Sequence, residues 1–244
     1  EIRNPGIYEF KEKVKLRDLI NQNTDITDKT YMGLSILKRY MQQSNSYEMI
    51  KINLYDDMEL AIRPKDQIFI FSLDDIEFIN SQAMLNFFLN PNPSFNSTNS
   101  LEPNDEELRN LVCLSGLKNF SDNNFFVSIA TRVKELNPQS NITCTDTIYQ
   151  NPDLLPILLV NSAIVLGAVT NPGLYPLHED ITSNLLLNIA GNSEGGDLRD
   201  FIFEIGSTAN GINQYSFSDL SQANSILFLN IKKKITSDQL GFIT

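Results

Sequence analysis

The stretch Glu1–Asn21, EIRNPGIYEFKEKVKLRDLIN, returns without gaps as Ala168–Asn188, AVTNPGLYPLHEDITSNLLLN. The offset is 167 and seven positions are identical: Asn, Pro, Gly, Tyr, Glu, Leu and Asn. Ile2/Val169, Ile7/Leu174 and Val14/Ile181 are like for like. So long a period excludes a solenoid, whose repeats run to ~20–50 residues. It describes two copies of one small domain with something else between them.

Each part of the repeat has a mechanical reading. Asn4-Pro5-Gly6 and Asn171-Pro172-Gly173 read as type II turns, because proline presets φ at the second position and glycine tolerates positive φ at the third. Apolar residues at Ile2, Ile7, Tyr8 and Phe10 flank the first turn as strand signals, and Leu174 and Tyr175 stand at the matching places in the second. Val14–Asn21 and Ile181–Ala190 then carry apolar side chains at helical spacing, the second closing on Ala190-Gly191-Asn192. Further along copy one, Gly33–Met41 reads as a helix, followed by a polar hairpin. LAIRPKDQIFIF (Leu60–Phe71) then gives an Arg-Pro-Lys-Asp turn feeding an apolar strand, Ile68–Phe71, of the kind buried on both faces. LSQANSILFL (Leu220–Leu229) echoes it at an offset of 158. Strand, turn, strand, helix and further strands suggest a small α+β domain in which a sheet wraps one helix.

These residues resemble a known family. The xVxNPGxYxL hairpin, the helix ending near AGN and the later LxxxDxIxI strand are similar to the SLBB domain, a β-grasp module. They look most like the tandem SLBB domains of bacterial outer-membrane polysaccharide-export proteins. The resemblance covers residues 1–80 and about 161–244, and the turn motif gains specificity by occurring twice. Copy one departs from the pattern with Asn21-Gln22-Asn23 after its helix and Pro64-Lys65-Asp66 where the family has Pro-Gly-Asp. Copy two has Gln222-Ala223-Asn224 there. The resemblance implies two β-grasp domains, residues 1–80 and 161–244, flanking a helical insert, residues 81–160. It implies a non-catalytic role in the periplasm, associated with the outer membrane, in which such domains pack into a ring or bind polymer during export of capsular or extracellular polysaccharide. The implied partners are the polysaccharide, further copies of the full-length protein and an inner-membrane export protein. No cofactor is implied. The alternative is a β-grasp binding module for a small soluble ligand or peptide.

The middle segment matches neither copy. Ser81–Leu89 reads as a short helix and Asn90–Asn104, rich in Asn, Pro and Ser, as a loop. Asp105-Glu106-Glu107 opens a helix with acidic residues in the first turn, where the macrodipole favours them. A second helix is expected over Asp122–Leu136, and a short apolar helix or extended run over Asp153–Val160 leading into a strand at Ala163–Val169.

Composition narrows the function. The 244 residues hold 30 acidic against 19 basic side chains, a net charge of −11. Nucleic-acid binding rests on basic surface that neutralises phosphates, so this balance argues against it. Residues 1–80, 81–160 and 161–244 carry −3, −4 and −4, so the acidity belongs to the whole surface. With 28 Asn, that surface is polar with few charges. No stretch approaches the ~18 apolar residues of a membrane-spanning helix. The chain opens on Glu1 with strand-like sequence under way and ends on an apolar GFIT, which reads as a piece of a longer protein.

Chemistry finds few candidates. His178 is the only histidine, read as exposed and without a nucleophile to serve. Asp56-Asp57, Asp74-Asp75 and Glu106-Glu107 are adjacent carboxylates, which diverge rather than face each other across the ~5–10 Å of a glycosidase cleft. They read as turn and helix-start charges, and Lys232-Lys233-Lys234 reads as a solvated strand end. Cys113 and Cys144 are 31 positions apart, unlike a CxxC zinc or redox site. From the residues alone, a disulfide and two buried thiols both stand; the oxidising compartment that the resemblance implies favours the disulfide.

Overall fold

The computed structural model describes residues 3, 5–10, 14–21, 25–89, 105–117, 142–191, 201–207, 211–215 and 226–233, and it mixes sheets and helices in both halves of the chain. Residues Glu1–Asn161 with Pro176–His178 form one unit, and Ser162–Tyr175 with Glu179–Thr244 form the other. The described helices after residue 81 and before residue 161 therefore belong to the first unit.

That unit begins with β1 (Val14–Lys15), a single helical turn α1 (Leu16–Leu19), β2 (Thr30–Met41) and β3 (Ser46–Ile52). A 3-10 turn at Asp57–Glu59 precedes β4 (Ala61–Ile62) and β5 (Gln67–Ser72). Helices α2 (Leu73–Ile79), α3 (Gln82–Leu89), α4 (Asp105–Ser115), α5 (Asp146–Gln150) and α6 (Leu154–Val160) follow. β1 pairs antiparallel with β4, and a three-stranded sheet runs β3-β2-β5, antiparallel throughout. Leu16, Ile20, Leu37, Ile52, Leu54 and Ile62 form the buried cluster on one face of that sheet. Each such side chain taken from water is worth roughly 1.5–3 kcal/mol.

Thr30–Met41 is a strand throughout, which corrects the helix expected over Gly33–Met41. Leu34, Leu37 and Met41 do mimic helical spacing. The segment, however, lies between β3 and β5 and is hydrogen-bonded on both sides. Burial along β2 runs through consecutive residues, Ser35 and Arg39 included, so the helical periodicity is incidental. β5 is a strand as expected, but it flanks β2 at one side of the three-stranded order, and Ile68, Phe69 and Ile70 are only half-buried.

The start of copy one also departs from expectation. Residues Pro5–Phe10 form no strand; Ile7 is 98% exposed and Tyr8 46%. The first paired strand is β1, and Val14–Asn21 yields only one helical turn.

The register between β2 and β5 shifts between Thr30 and Ser35. Into this irregular stretch fits Pro176–His178: Tyr31 Oη donates to the Pro176 carbonyl (2.6 Å), and the His178 N–H donates to the Gly33 carbonyl (2.8 Å). A Cβ at Gly33 would stand 2.8 Å from the Pro176 carbonyl oxygen, so the approach requires glycine.

The Arg63-Pro64-Lys65-Asp66 turn locks the sheet. The Asp66 N–H donates to the Arg63 carbonyl (3.1 Å) and Lys65 has φ 72°, which with proline before it makes a type II turn. Lysine thus occupies backbone that glycine adopts without strain. The Asp66 carboxylate accepts from the Arg63 N–H (2.8 Å) and from the Arg39 guanidinium of β2 (2.7 Å at Nη2). Arg39 also donates to the Ala61 carbonyl of β4 (2.8 Å). The side chains of Arg39 and Asp66 are 8% and 1% exposed, so this is a buried and well-bonded pair.

The second unit contains β6 (Ser162–Gly167), β7 (Gly173–Pro176, its last residue counted with the first unit), α7 (Ser183–Ala190), β8 (Phe201–Ser207), β9 (Gly211–Tyr215) and β10 (Ile226–Lys233). They form one sheet in the order β7-β6-β10-β8-β9, with β6 parallel to β10 and the pairs β10–β8 and β8–β9 antiparallel. Its β9-β8-β10 portion repeats the order and pairing sense of β3-β2-β5: a hairpin whose first strand is central, then a later strand on that strand's other side. Asp122–Leu136, Asn90–Asn104 and Gln222–Asn224 lie outside the described residues.

Two substitutions test the Arg63–Asp66 turn. Asp66→Ala leaves Arg39 buried without its partner and is expected to cost about 3–5 kcal/mol. Lys65→Gly relieves the positive φ and is expected to stabilise by up to about 1 kcal/mol. Urea unfolding of both variants measures the two values.

Candidate functional site

The repeated Asn-Pro-Gly-x-Tyr motif is best seen in copy two. Gly173 begins β7 without a positive φ, so the type II turn expected at Asn171-Pro172-Gly173 is corrected: the left-handed glycine is Gly167 (φ 88°), at the end of β6. The loop turns there because β6 must leave the sheet before Pro172, which has no N–H to give to a ladder. Tyr175 closes the loop by donating its hydroxyl to the Asn171 carbonyl (2.5 Å). Tyr175 is buried, and that burial pushes its phenol well above the ordinary value near 10.

The other end of the loop meets the end of α7. The Asn171 N–H donates to the Ala190 carbonyl (3.0 Å), and Gly191, with φ 82°, lies against Thr170, where a Cβ would come within 2.8 Å. In copy one the Arg3 N–H donates to the Asp25 carbonyl (2.7 Å). Arg3 and Thr170 are equivalent at the offset of 167: Arg3 bonds to the chain beyond α1, whereas Thr170 packs against Gly191 and its neighbour Asn171 bonds to the last residue of α7. Pro5 and Gly6 are exposed, and Asn4 lies outside the described residues. Helix α7 begins at Ser183 and α1 at Leu16, also equivalent positions. Thr182 caps α7 by accepting from the Leu185 N–H (3.4 Å). Lys15, at the same place in copy one, cannot accept in this way, and its N–H instead donates to the Asp18 carboxylate (2.8 Å).

Cys113 and Cys144 form a disulfide between α4 and the segment before α5. Both residues are buried. Side chains of α4 reinforce it: Asn110 Oδ1 accepts from the Cys144 N–H (2.7 Å), and Arg109 donates to the Cys144 carbonyl and to Asp146. Thr145 caps α5 and donates its hydroxyl to the buried Asp75 of α2, so the clamp extends to a third helix. Gln82, Ala83, Glu106, Glu107, Ile142 and Thr143 line a small polar cleft of about 160 Å³ beside it.

The acidic pairs occupy turns and helix starts. Asp57 accepts from the Asn53 N–H (2.7 Å) and Asp56 from its side-chain amide (2.8 Å). Asp75 accepts from Ser72 at the first turn of α2 (2.6 Å), and Glu106 and Glu107 sit in the first turn of α4. Exposed Glu59 accepts from Lys15 and Arg17, and the Lys15 hydrogen bond holds its carboxyl below the usual range. His178 is 8% exposed, which corrects its expected place on the surface: the Pro176–His178 segment is packed in against β2. Lys232 bonds to Glu204 (2.8 Å). Among the described residues no group of three or more His, Cys, Asp or Glu is placed to hold a metal ion, and no helix is long and apolar enough to cross a membrane.

The sequence assigned no binding side chains and gave no sign of one aromatic cluster, whose Tyr47 and Lys65 are exposed while Tyr40 and Lys38 are half-buried. Tyr40 and Tyr47 stand directly opposite each other on β2 and β3, ring centroids 5.4 Å apart and planes 60° to one another. Lys38 Nζ lies 5.3 Å from the Tyr47 centroid and Lys65 Nζ 6.0 Å from that of Tyr40. Two tyrosines seven residues apart become neighbours only once the hairpin register is known.

The chain matches no protein-family model, and no curated protein and no solved structure is significantly similar to it.

Tyr175→Phe is expected to cost about 1 kcal/mol for the lost hydrogen bond. Because the folded-state value of Tyr175 is raised, its contribution is full below about pH 10 and falls as pH rises further and the unfolded chain ionises. Tyr175→Phe should remove that part of the alkaline loss in pH-dependent unfolding. Non-reducing intact mass should be ~2 Da below the reduced mass, one S–S bond in place of two thiols. Cys113→Ser should lower stability by about 3.5 kcal/mol, the chain-entropy value for a loop of this length.

Proposed function

We propose that the chain is a non-catalytic, periplasmic part of a bacterial polysaccharide-export assembly, built from two SLBB-like β-grasp units. The observation that carries this reading is the duplication. Asn-Pro-Gly-x-Tyr stands at matching places 167 residues apart, and the strand pattern β3-β2-β5 recurs as β9-β8-β10. The disulfide supports the compartment, since such bonds persist in oxidising, extracytoplasmic surroundings. A surface spread with Asn and with acid throughout suits the wall of a conduit, past which a hydrated polymer moves without being held. Repeated units assemble into a closed ring by head-to-tail contacts whose rotation closes.

Electron microscopy of the protein purified from the envelope of its source organism tests this. Closed rings, together with loss of surface polysaccharide when the protein is deleted, are the expected result. A monomer that binds a small solute saturably and gains thermal stability from it, with surface polysaccharide unaffected by deletion, would establish the binding-module alternative instead.

A further inference from the structure

We propose that the Cys113–Cys144 bond is a redox latch. Oxidised, it docks helix α4 on residues 142–146; reduced, it lets the two part while the β3-β2-β5 sheet stays folded. The inference goes beyond the export reading and does not depend on it. It starts from what α4 buries. Of the eleven residues Asp105–Ser115, Cys113 alone is buried. Leu108 and Val112, one turn apart, are 46% and 41% exposed, and Leu111 and Leu114 are half-buried. A helix in a folded domain is held mostly by an apolar face packed on its neighbours. α4 has no such face turned fully inward, so the covalent bond holds it.

The hydrogen bonds from α4 to that segment lie beside the disulfide. Asn110 Oδ1 accepts from the Cys144 N–H (2.7 Å), and Asn110 Nδ2 donates to the Ile142 carbonyl (3.4 Å). Arg109 donates to the Cys144 carbonyl and to Asp146, whose side chain is 80% exposed, so that ion pair adds little. Such bonds replace bonds to water and offset only part of the entropy lost in ordering the segment. Just past the helix, Gly116 approaches the Pro152 carbonyl, where a Cβ would come within 2.1 Å, and Leu117 is buried. This end is the pivot about which the opened helix turns.

The opening is passed on to α2. Thr145, next to Cys144, donates its hydroxyl to buried Asp75, which also accepts from the Ser72 N–H and hydroxyl. Once the segment leaves, that carboxylate loses a donor and the first turn of α2 loosens. Both cysteines are covered in the docked state, so thiol exchange follows a local opening, which a helix with so small a buried face undergoes readily. The reductant is a dithiol. One of its thiolates attacks a bridge sulfur, forming a mixed disulfide and freeing the other cysteine; its second thiolate then displaces the first cysteine. The chain gains two electrons and two protons as two thiols, and the dithiol becomes a disulfide.

The test is hydrogen exchange read by mass spectrometry on three samples: the oxidised chain, the chain treated with excess dithiothreitol without denaturant, and a Cys113→Ala/Cys144→Ala variant. The reduced chain and the variant are expected to exchange about tenfold faster over residues 105–113, residues 142–150 and Leu73–Ile79. Thr30–Met41 and Ser46–Ile52 should keep their rates, and reoxidation with oxidised glutathione should restore the slow exchange. Thr145→Val, with the bond intact, should loosen Leu73–Ile79 and leave residues 105–113 slow; no change in Leu73–Ile79 would overturn the relay to α2. A bond that dithiothreitol leaves intact in the native chain, read by alkylation and mass, would overturn the latch. Slow exchange over residues 105–113 after reduction would do the same. So would loss of protection in Thr30–Met41 at the same time, which would make the bond a staple of the whole fold.

Discussion

The first sheet depends on the ion pair between Arg39 and Asp66. Arg39 sits on the central strand, and its guanidinium reaches both the Asp66 carboxylate and the Ala61 carbonyl. One side chain thus fixes the positions of β2, β4 and the turn into β5. A charge in so buried a place is tolerable only when its hydrogen bonds are nearly all made, and the backbone N–H of Arg63 supplies one of the remaining donors to Asp66. That demand also explains the strained Lys65: the turn must be tight for Asp66 to receive both Arg39 and Arg63.

Much of this was legible in the sequence, and the legible parts share a cause. At helix ends and in the Arg63–Asp66 turn local chemistry decides the backbone, and there the residues announce it. Gly191 closes α7 and the acidic run Asp105–Glu107 opens α4, both as their local chemistry predicts. Readings failed where distant chain decides. Gly33–Met41 carries a helical pattern that pairing on both sides overrides. His178 is buried by strand β2, 145 residues earlier, and nothing beside it in sequence says so. Ile7 and Tyr8 match Leu174 and Tyr175 letter for type, yet only the second pair is buried in a strand.

The site was less legible than the fold for a related reason. The repeat pointed to Asn171, Pro172, Gly173 and Tyr175, and these prove to be a latch: Tyr175 holds Asn171, and Asn171 holds the end of α7. Their chemistry is structural. The disulfide is likewise a clamp, holding the Ile142–Asp146 segment to α4. The paired faces of the hairpins are assembled from cross-strand neighbours whose register no single segment records.

One strand order, β3-β2-β5 and again β9-β8-β10, is used twice, each time around a central strand paired on both sides. Native-state hydrogen exchange tests it most directly, since amides opened only by larger unfolding exchange slowest. The longest-lived amides should lie in both β2 (Thr30–Met41) and β8 (Phe201–Ser207), each outlasting its outer hairpin neighbour, β3 or β9. Protection of β2 with Phe201–Ser207 exchanging at the rate of a loop would contradict the claim.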